Sequence, residues 1–283
     1  ATPEIYTLSL HDALPIFLDS LIQAVQASHK YRDLQIPHTT LQDILAYESK
    51  HSHSRKELEA NFRKSLHNIM APYLENLNYP AETASLQEFH SQSPSLENIK
   101  SWCQDRMCHH ASSRERLPYL EVFYRKIFVT IGTPTSILDL ACALDPLGLP
   151  WMNLPLTTRF LAYDIHQPRL DFLQAFFQHF YPQARAVHQD ILTNTPGEEA
   201  DCAFLFKEAH RLEKRRPGSN RELFEDLNVK WLVVSLPSRD LAGHHSLAAY
   251  HTSLIQKAVE GRPWHLTTDM AGDELLFFIQ KHG

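Results

Sequence analysis

The sequence predicts an α/β protein in two parts: an all-helical N-terminal region, then a mostly parallel sheet wrapped by helices. Three observations predict it. Apolar residues recur at helical spacing from residue 17 to about 131, with no strand pattern before residue 135. Beyond that point, short apolar runs alternate with helical stretches about every 20 to 30 residues, the signature of a parallel sheet. Two strand-like runs follow one another at the C-terminus, which suits an antiparallel hairpin on the sheet edge.

In the first part, Phe17, Leu18, Leu21, Ile22 and Val25 make one helical stripe. Thr40 precedes Leu41, Ile44 and Leu45 with Asp43 in the first turn, a helix start. Leu58, Phe62, Leu66 and Ile69/Met70 form a third stripe, Ser95-Leu96-Glu97 opens a helix through Trp102, and Leu117 to Phe128 forms the last. In the second part, strands are expected at Ser136–Leu140, Arg159–Tyr163, Ala184–His188, Cys202–Phe206 and Lys230–Ser235, with two more at 264–268 and 274–281. Pro168 suits the first position of a helix. One charged helix is expected over about 209 to 227 and another over about 246 to 260. The domains expected are 17–108 (helical) and 109–283. Residues 1–16 have neither a basic n-region nor a small-residue cleavage site, so they do not read as a signal peptide. The string TLSLHDALPI resembles translated adaptor sequence, and the segment is expected to be a foreign or disordered arm.

The chain has 283 residues, with 27 Lys+Arg against 33 Asp+Glu and a net charge of −6 with histidine neutral, which excludes a strongly basic coat. Eighteen histidines make that figure soft near pH 6. Eight glycines and four cysteines exclude collagen-like and disulfide-scaffold classes. No run approaches the ~18 apolar residues of a membrane span. Sparse thiols and no targeting segment predict a cytoplasmic protein, by default a monomer. Residues 17–130 hold 13 basic and 13 acidic residues, so an RNA-docking role there requires a one-sided basic patch.

In a doubly wound sheet, ligands sit beyond the carboxyl ends of the strands. Asp139, Asp164 and Asp190 each lie at such an end. Asp164 can accept both ribose hydroxyls, and Asp190 an adenine amino group. A neutral or cationic adenosyl ligand tolerates these carboxylates. A pyrophosphate would be repelled, and the chain has no GxGxxG loop. A seven-stranded, mostly parallel sheet ending in a hairpin is the usual Rossmann-like plan of class I S-adenosylmethionine-dependent methyltransferases. The pattern alone also admits other doubly wound folds.

Five ordered blocks narrow this: His110-Ala-Ser-Ser-Arg-Glu-Arg116, Leu138-Asp-Leu-Ala-Cys-Ala-Leu-Asp-Pro146, Tyr163-Asp-Ile-His-Gln167, Gln189-Asp-Ile-Leu192 and Val234-Ser-Leu-Pro-Ser-Arg-Asp-Leu241. Together they resemble the aminoglycoside-resistance methyltransferases of the Arm/Rmt group and their actinomycete relatives, from about residue 17 to the end. The resemblance implies methylation of N7 of a guanine in the decoding-site helix of 16S rRNA, with S-adenosylmethionine as cofactor. It implies a helical domain that docks on the 30S subunit, and resistance to aminoglycosides. It places Arg116 on the methionine carboxylate, which suits a bidentate fork. His110, Ala111 and Ser112 would line that pocket, and Ala141 to Ala143 the turn under the cofactor. Asp164 would hold the ribose, Asp190 and Ile191 the adenine, and Phe206 and Lys207 would lie beside the methyl group. Lys207, Arg239, His244 and His245 are the candidates for positioning the target. No general base and no metal are expected.

Some residues depart from the pattern. Ala143 stands where the family has glycine, and a Cβ costs roughly 1 kcal/mol if the position needs positive φ. Asp145 replaces asparagine. His244 and His245 replace fixed cations in a loop where phosphate contacts would dominate. Glu208-Ala-His-Arg211 replaces an apolar stretch. A methyltransferase of another RNA or of a small molecule, and a non-enzymatic S-adenosylmethionine-binding homologue, therefore stay open. A zinc site at Cys103, Cys108, His109 and His110 lacks standard spacing. Trp151 reads as a core anchor more readily than as a base-stacking wall, and Arg211, Lys214, Arg215 and Arg216 as a solvated helix face.

Overall fold

The computed structural model describes residues 10–71, 77–240 and 243–281. By packing, the chain divides into two compact units, residues 1–74 and 75–283, rather than at 108/109.

The first unit contains α1 (Leu10–Gln26), α2 (His38–His51) and α3 (Arg55–Met70). The segment expected to be an unstructured arm is partly helical: α1 begins at Leu10, because the apolar spacing of Phe17, Leu18 and Leu21 continues back through Leu14 and Leu10. Residues 1–9 lie outside the described part. Helix α2 starts at His38 after Pro37, so Thr40 is not its cap but a buried residue of its first turn. Ser54 caps α3 by accepting from Glu57 N. Leu58, Phe62, Leu66 and Met70 bury one side of α3. Its exposed positions include Arg55, Lys56, Arg63, Lys64 and His67, and Lys30 adds its ammonium 3.0 Å from His67. Glu59 of the same helix has a 43% exposed side chain and pairs with Arg63 at 3.0 Å, so the basic residues of α3 are interspersed with acid.

The second unit opens with α4 (Tyr79–Ser91) and α5 (Leu96–Met107). Sequence periodicity missed α4 because only Tyr79 and Leu86 of it are buried; the legible signal was Asn78, which caps Ala81 N, followed by Pro80. Leu86, Trp102 and Met107 share one core with Ile137 and Phe160 of the sheet and with Phe172 of the helix over 167–180, which is why these two helices belong to this unit. Then come α6 (Ala111–Arg116) and α7 (Leu120–Ile131).

The sheet has seven strands: β1 (Ser136–Leu140), β2 (Arg159–Asp164), β3 (Ala184–His188), β4 (Ala200–Phe206), β5 (Val229–Pro237), β6 (His265–Ala271) and β7 (Glu274–Gln280). Their order is 3-2-1-4-5-7-6, parallel from β3 to β5, with β7 antiparallel between β5 and β6. Helices α8 (Leu149–Met152), α9 (Gln167–Phe180), α10 (Ala209–Arg215), α11 (Ser219–Asp226) and α12 (Ala248–Val259) complete the unit. The single helix expected over 209–227 is two, broken at Pro217 and Gly218, where Gly218 takes φ +87. Ile137 and Asp139 of β1 face one layer, Leu138 and Leu140 the other. The strand order runs outward from β1 to β3 on one side and resumes with β4 on the other, and that switch point between the parallel β1 and β4 opens the crevice where ligands bind in such sheets.

Candidate cofactor crevice

The end of β1 forms the floor. Ala141 and Ala143 both take left-handed φ, +51 and +49. This turn is tied to β2: Cys142 N donates to Tyr163 O at 2.8 Å and Ala143 N to Asp164 Oδ2 at 3.0 Å. The glycine-to-alanine departure therefore falls where a Cβ is strained.

Asp164 ends β2 and is buried. Its Oδ1 accepts from His166 N at 2.9 Å, and Arg169 Nη1 lies 3.5 Å from Oδ2. Arg169, also buried, donates Nε–H to the Tyr79 hydroxyl at 2.9 Å, joining α4 to this carboxylate. Asp190 follows β3. Its Oδ1 accepts from Leu192 N at 3.0 Å, and Arg215 Nη2 lies 2.7 Å from Oδ2. Ile191 is buried beside it.

On the other side, α6 begins at His110, whose Nδ1 lies 2.8 Å from Ser112 Oγ. Burial, then the cations Arg169, Arg211, Arg116 and Lys207, push His110 down to about 3, so the ring is neutral. Ala111 and Ser112 are half-buried at the same helix start. Arg116 is fully buried, and its fork is engaged within the chain: Nε and Nη2 donate to Glu274 Oε1 and Oε2 at 2.7 and 3.0 Å, and Nη1 to Asp145 Oδ1 at 2.8 Å. Burial disfavours its charge, but Asp145 and Glu274 outweigh burial and hold it protonated. Its guanidinium lies 4.4 and 4.9 Å from the ring centres of Phe123 and Phe206. Phe206, expected beside the methyl group, is thus a buried ring packed under Arg116.

Lys207 leaves β4 with φ +57. Its Nζ lies 2.8 Å from Glu115 Oε2, 3.2 Å from Ser112 O and 3.5 Å from Glu274 Oε2, so it faces α6 and β7. Glu208 follows, half-buried and 3.5 Å from Arg211; burial pushes its carboxyl up to about 7, with Arg211 opposing. The other target-side candidates lie on the loop after β5, whose Ser238 N donates at 2.8 Å to Asp273 O, beside Glu274. Arg239, His244 and His245 are exposed there, where Arg239 bridges to Ser246 and Asp240 Oδ1 accepts from His244 N and His245 N. Leu241 and Ala242 of that loop lie outside the described residues.

Sequence reasoning did not find Arg169, Arg215, Glu115 or Glu274. Arg169 and Arg215 gave no signal beyond helix-surface charge. Glu274 opens an otherwise apolar strand, which was the one visible hint. Trp151 packs against the core with Lys100 near its ring. Cys103 is buried, and the described residues hold no cluster of three metal-ligating side chains.

Asp139 tests whether the crevice suits S-adenosylmethionine. Its carboxyl is buried and neither oxygen has a hydrogen-bond partner. Burial, then Asp145 and Asp164, push its pKa well up, with Arg116 opposing. A buried carboxyl without a partner in the chain suits a ligand that brings a hydrogen-bond donor, as the ammonium of S-adenosylmethionine does.

The profile of the family described as "Ribosomal RNA methyltransferase (FmrO)" matches residues 27–279. The chain belongs to this family of ribosomal RNA methyltransferases. A "16S rRNA (guanine(1405)-N(7))-methyltransferase" of Micromonospora rosea is 29% identical over 268 residues, covering 93% of this chain and 97% of that protein. A Frankia casuarinae protein of the same description is 33% identical over 175 residues, and that match spans 61% of each chain. The solved structure of the 16S rRNA methylase RmtB superposes with TM-score 0.74 at 28% identity, covering 94% of this chain and 98% of that one. The class I methyltransferase fold expected from the strand pattern is the fold observed.

Proposed function

We propose that this ribosomal RNA methyltransferase transfers a methyl group from S-adenosylmethionine to N7 of guanine 1405 in 16S rRNA, acting on the 30S subunit in the cytoplasm and giving aminoglycoside resistance. One observation supports the reading above the others: at the β1/β4 switch point the Ala141–Ala143 turn is tied to Asp164, and the buried Asp139 carboxyl at the end of β1 has no partner. The exposed Arg55, Lys56, Arg63 and Lys64 of α3 support RNA as the partner. No helix among the described residues is long and apolar enough to cross a membrane.

In this reading Asp164 holds the ribose hydroxyls, and Asp190 with Ile191 holds the adenine. His110, Ala111, Ser112 and Arg116 take the amino-acid end. Three hydrogen bonds use three of the five Arg116 N–H groups, so each terminal nitrogen retains one for a ligand carboxylate. The bound cofactor supplies an electrophilic methyl group on a sulfonium. Guanine N7 presents an in-plane lone pair and carries no proton, so no side chain acts as a base. The chain's task is alignment and exclusion of water. Arg239, His244 and His245 project from the exposed loop toward RNA phosphates.

The test is incubation with radiolabelled S-adenosylmethionine and intact 30S subunits, alongside naked 16S rRNA and protein-free controls. Label on 30S, mapped to one guanine by N7-specific strand scission, is the expected result. Cofactor binding without label would refute the rRNA substrate and direct the search to another acceptor.

A further inference from the structure

We propose that Glu274 is a positioning residue that holds two cations, Arg116 and Lys207, side by side at the end of the crevice that receives the amino-acid moiety of the cofactor. The proposal rests on the reading of the cofactor as S-adenosylmethionine. Glu274 is fully buried at the first position of β7 and takes the Arg116 fork on both oxygens, at 2.7 and 3.0 Å. Its Oε2 also lies 3.5 Å from Lys207 Nζ. One carboxylate therefore faces cations from α6 and from the exit of β4, two segments far apart in sequence.

The surroundings show why it is needed. Two cations sharing a buried site repel each other unless an anion lies between them. Asp145 holds only the Nη1 side of Arg116, and Glu115 holds only Lys207. Among the described residues, Glu274 is the carboxylate that touches both. It is also set on a rigid element: β7 pairs with β5 through Glu274–Pro237 and with β6 through Glu274–Ala271. Lys207 is held at φ +57, a conformation that costs a non-glycine residue, and Lys207 N is fixed to Ser235 O at 2.8 Å. Fixed backbones on both sides and a shared counterion define where the cationic edge points. A ligand carboxylate arriving there meets positive charge already in place, rather than having to collect it.

The experiment compares two probes by titration calorimetry. S-adenosylhomocysteine carries the amino-acid moiety; 5′-methylthioadenosine lacks it and uses the adenosine end alone. In Glu274→Gln, one acceptor oxygen becomes an NH2 group and the charge is lost. We expect S-adenosylhomocysteine to bind about tenfold more weakly or worse, the scale of a lost charge-assisted hydrogen bond. Methylthioadenosine should bind as it does to the wild type. Lys207→Met, at a side chain reaching the rim of the cluster, should show the same selectivity and carries the test if Glu274→Gln does not fold. Equal losses for both probes, or unchanged S-adenosylhomocysteine binding, would overturn the proposal while leaving the cofactor assignment intact. A wild type that binds neither probe would overturn both.

Discussion

Arg215 places Nη2 2.7 Å from Oδ2 of Asp190, and both side chains are almost wholly buried. Leu192 N already occupies Oδ1 at 3.0 Å. An adenine amino group must therefore share Oδ2 with a guanidinium. Replacing Arg215 by Gln removes the competing cation. Calorimetry should show S-adenosylhomocysteine binding tightened by about tenfold, equivalent to about 1.4 kcal/mol. Thermal melting should show a loss of stability, because Asp190 keeps a buried charge without its counterion. Unchanged or weaker binding would mean that Arg215 orients Asp190 for the ligand instead of competing with it.

Ala143 at φ +49 makes a second, opposite prediction. Ala143→Gly should raise stability by about 1 kcal/mol, since glycine adopts this conformation without the Cβ penalty. For a chain of this size that is a rise of roughly 2–4 °C in Tm. A lower Tm would show that the turn relaxes around the alanine and that unfolded-state entropy dominates.

These two cases mark the limit of what was legible in the sequence. Strand periodicity showed all seven strands, and the three strand-end aspartates fell at the crevice, because period-2 burial and strand-end chemistry are local signals. Ala143 was flagged only because the family it resembles has glycine there, and its φ of +49 makes the conditional cost real. The counterions were not. Arg215 lies on a helix 25 residues beyond Asp190, and Glu274 is 158 residues beyond Arg116. No local pattern encodes such pairs, since packing alone brings them together. The same holds for α4, whose thin apolar stripe leaves Tyr79 free to reach Arg169.

The buried histidines give stability a defined pH dependence. Burial and nearby charges push His110 and His166 from 6.5 down to about 3, and His210 down to about 4. The unfolded chain therefore binds more protons between those values, and stability falls as pH falls below about 6.5. Each histidine costs about 1.4 kcal/mol by pH 5.5. Glu208 opposes them: burial raises it from 4.5 to about 7, so its folded form keeps a proton and stability recovers on acidification through that window. Denaturant titrations at pH 7 and pH 5.5 should show a loss of about 2 kcal/mol for the wild type. Glu208→Gln should lose about 4 kcal/mol, and parallel behaviour of the two proteins would exclude Glu208 as the offsetting group.

The exposed side of α3 yields a prediction about the partner. Lys56 and Lys64 are exposed on α3, where the partly exposed Glu59 is paired with Arg63. Lys56→Glu combined with Lys64→Glu should weaken 30S binding about tenfold or more and flatten its salt dependence, since two phosphate-facing charges are reversed. S-adenosylhomocysteine binding should be unchanged. Filter binding across a salt series measures the first and calorimetry the second. An unaltered salt slope would remove α3 from the RNA interface.

Gly272 fixes the turn from which Glu274 departs. It takes φ +56, and a Cβ built there would lie 2.2 Å from Cδ1 of the Tyr119 ring, inside any tolerated contact. Gly272→Ala therefore meets two penalties, backbone strain of about 1 kcal/mol and overpacking of about 1–3 kcal/mol. Relief requires the ring or the turn to move, and the turn carries Glu274 two residues on. Thermal melting should show a Tm lower by roughly 5 °C or more. S-adenosylhomocysteine binding should weaken more than methylthioadenosine binding, because the displaced carboxylate no longer holds Arg116 and Lys207. Tyr119→Leu in the same chain should restore both Tm and selectivity by removing the ring edge. Restored Tm without restored selectivity would separate packing at Gly272 from the placement of Glu274.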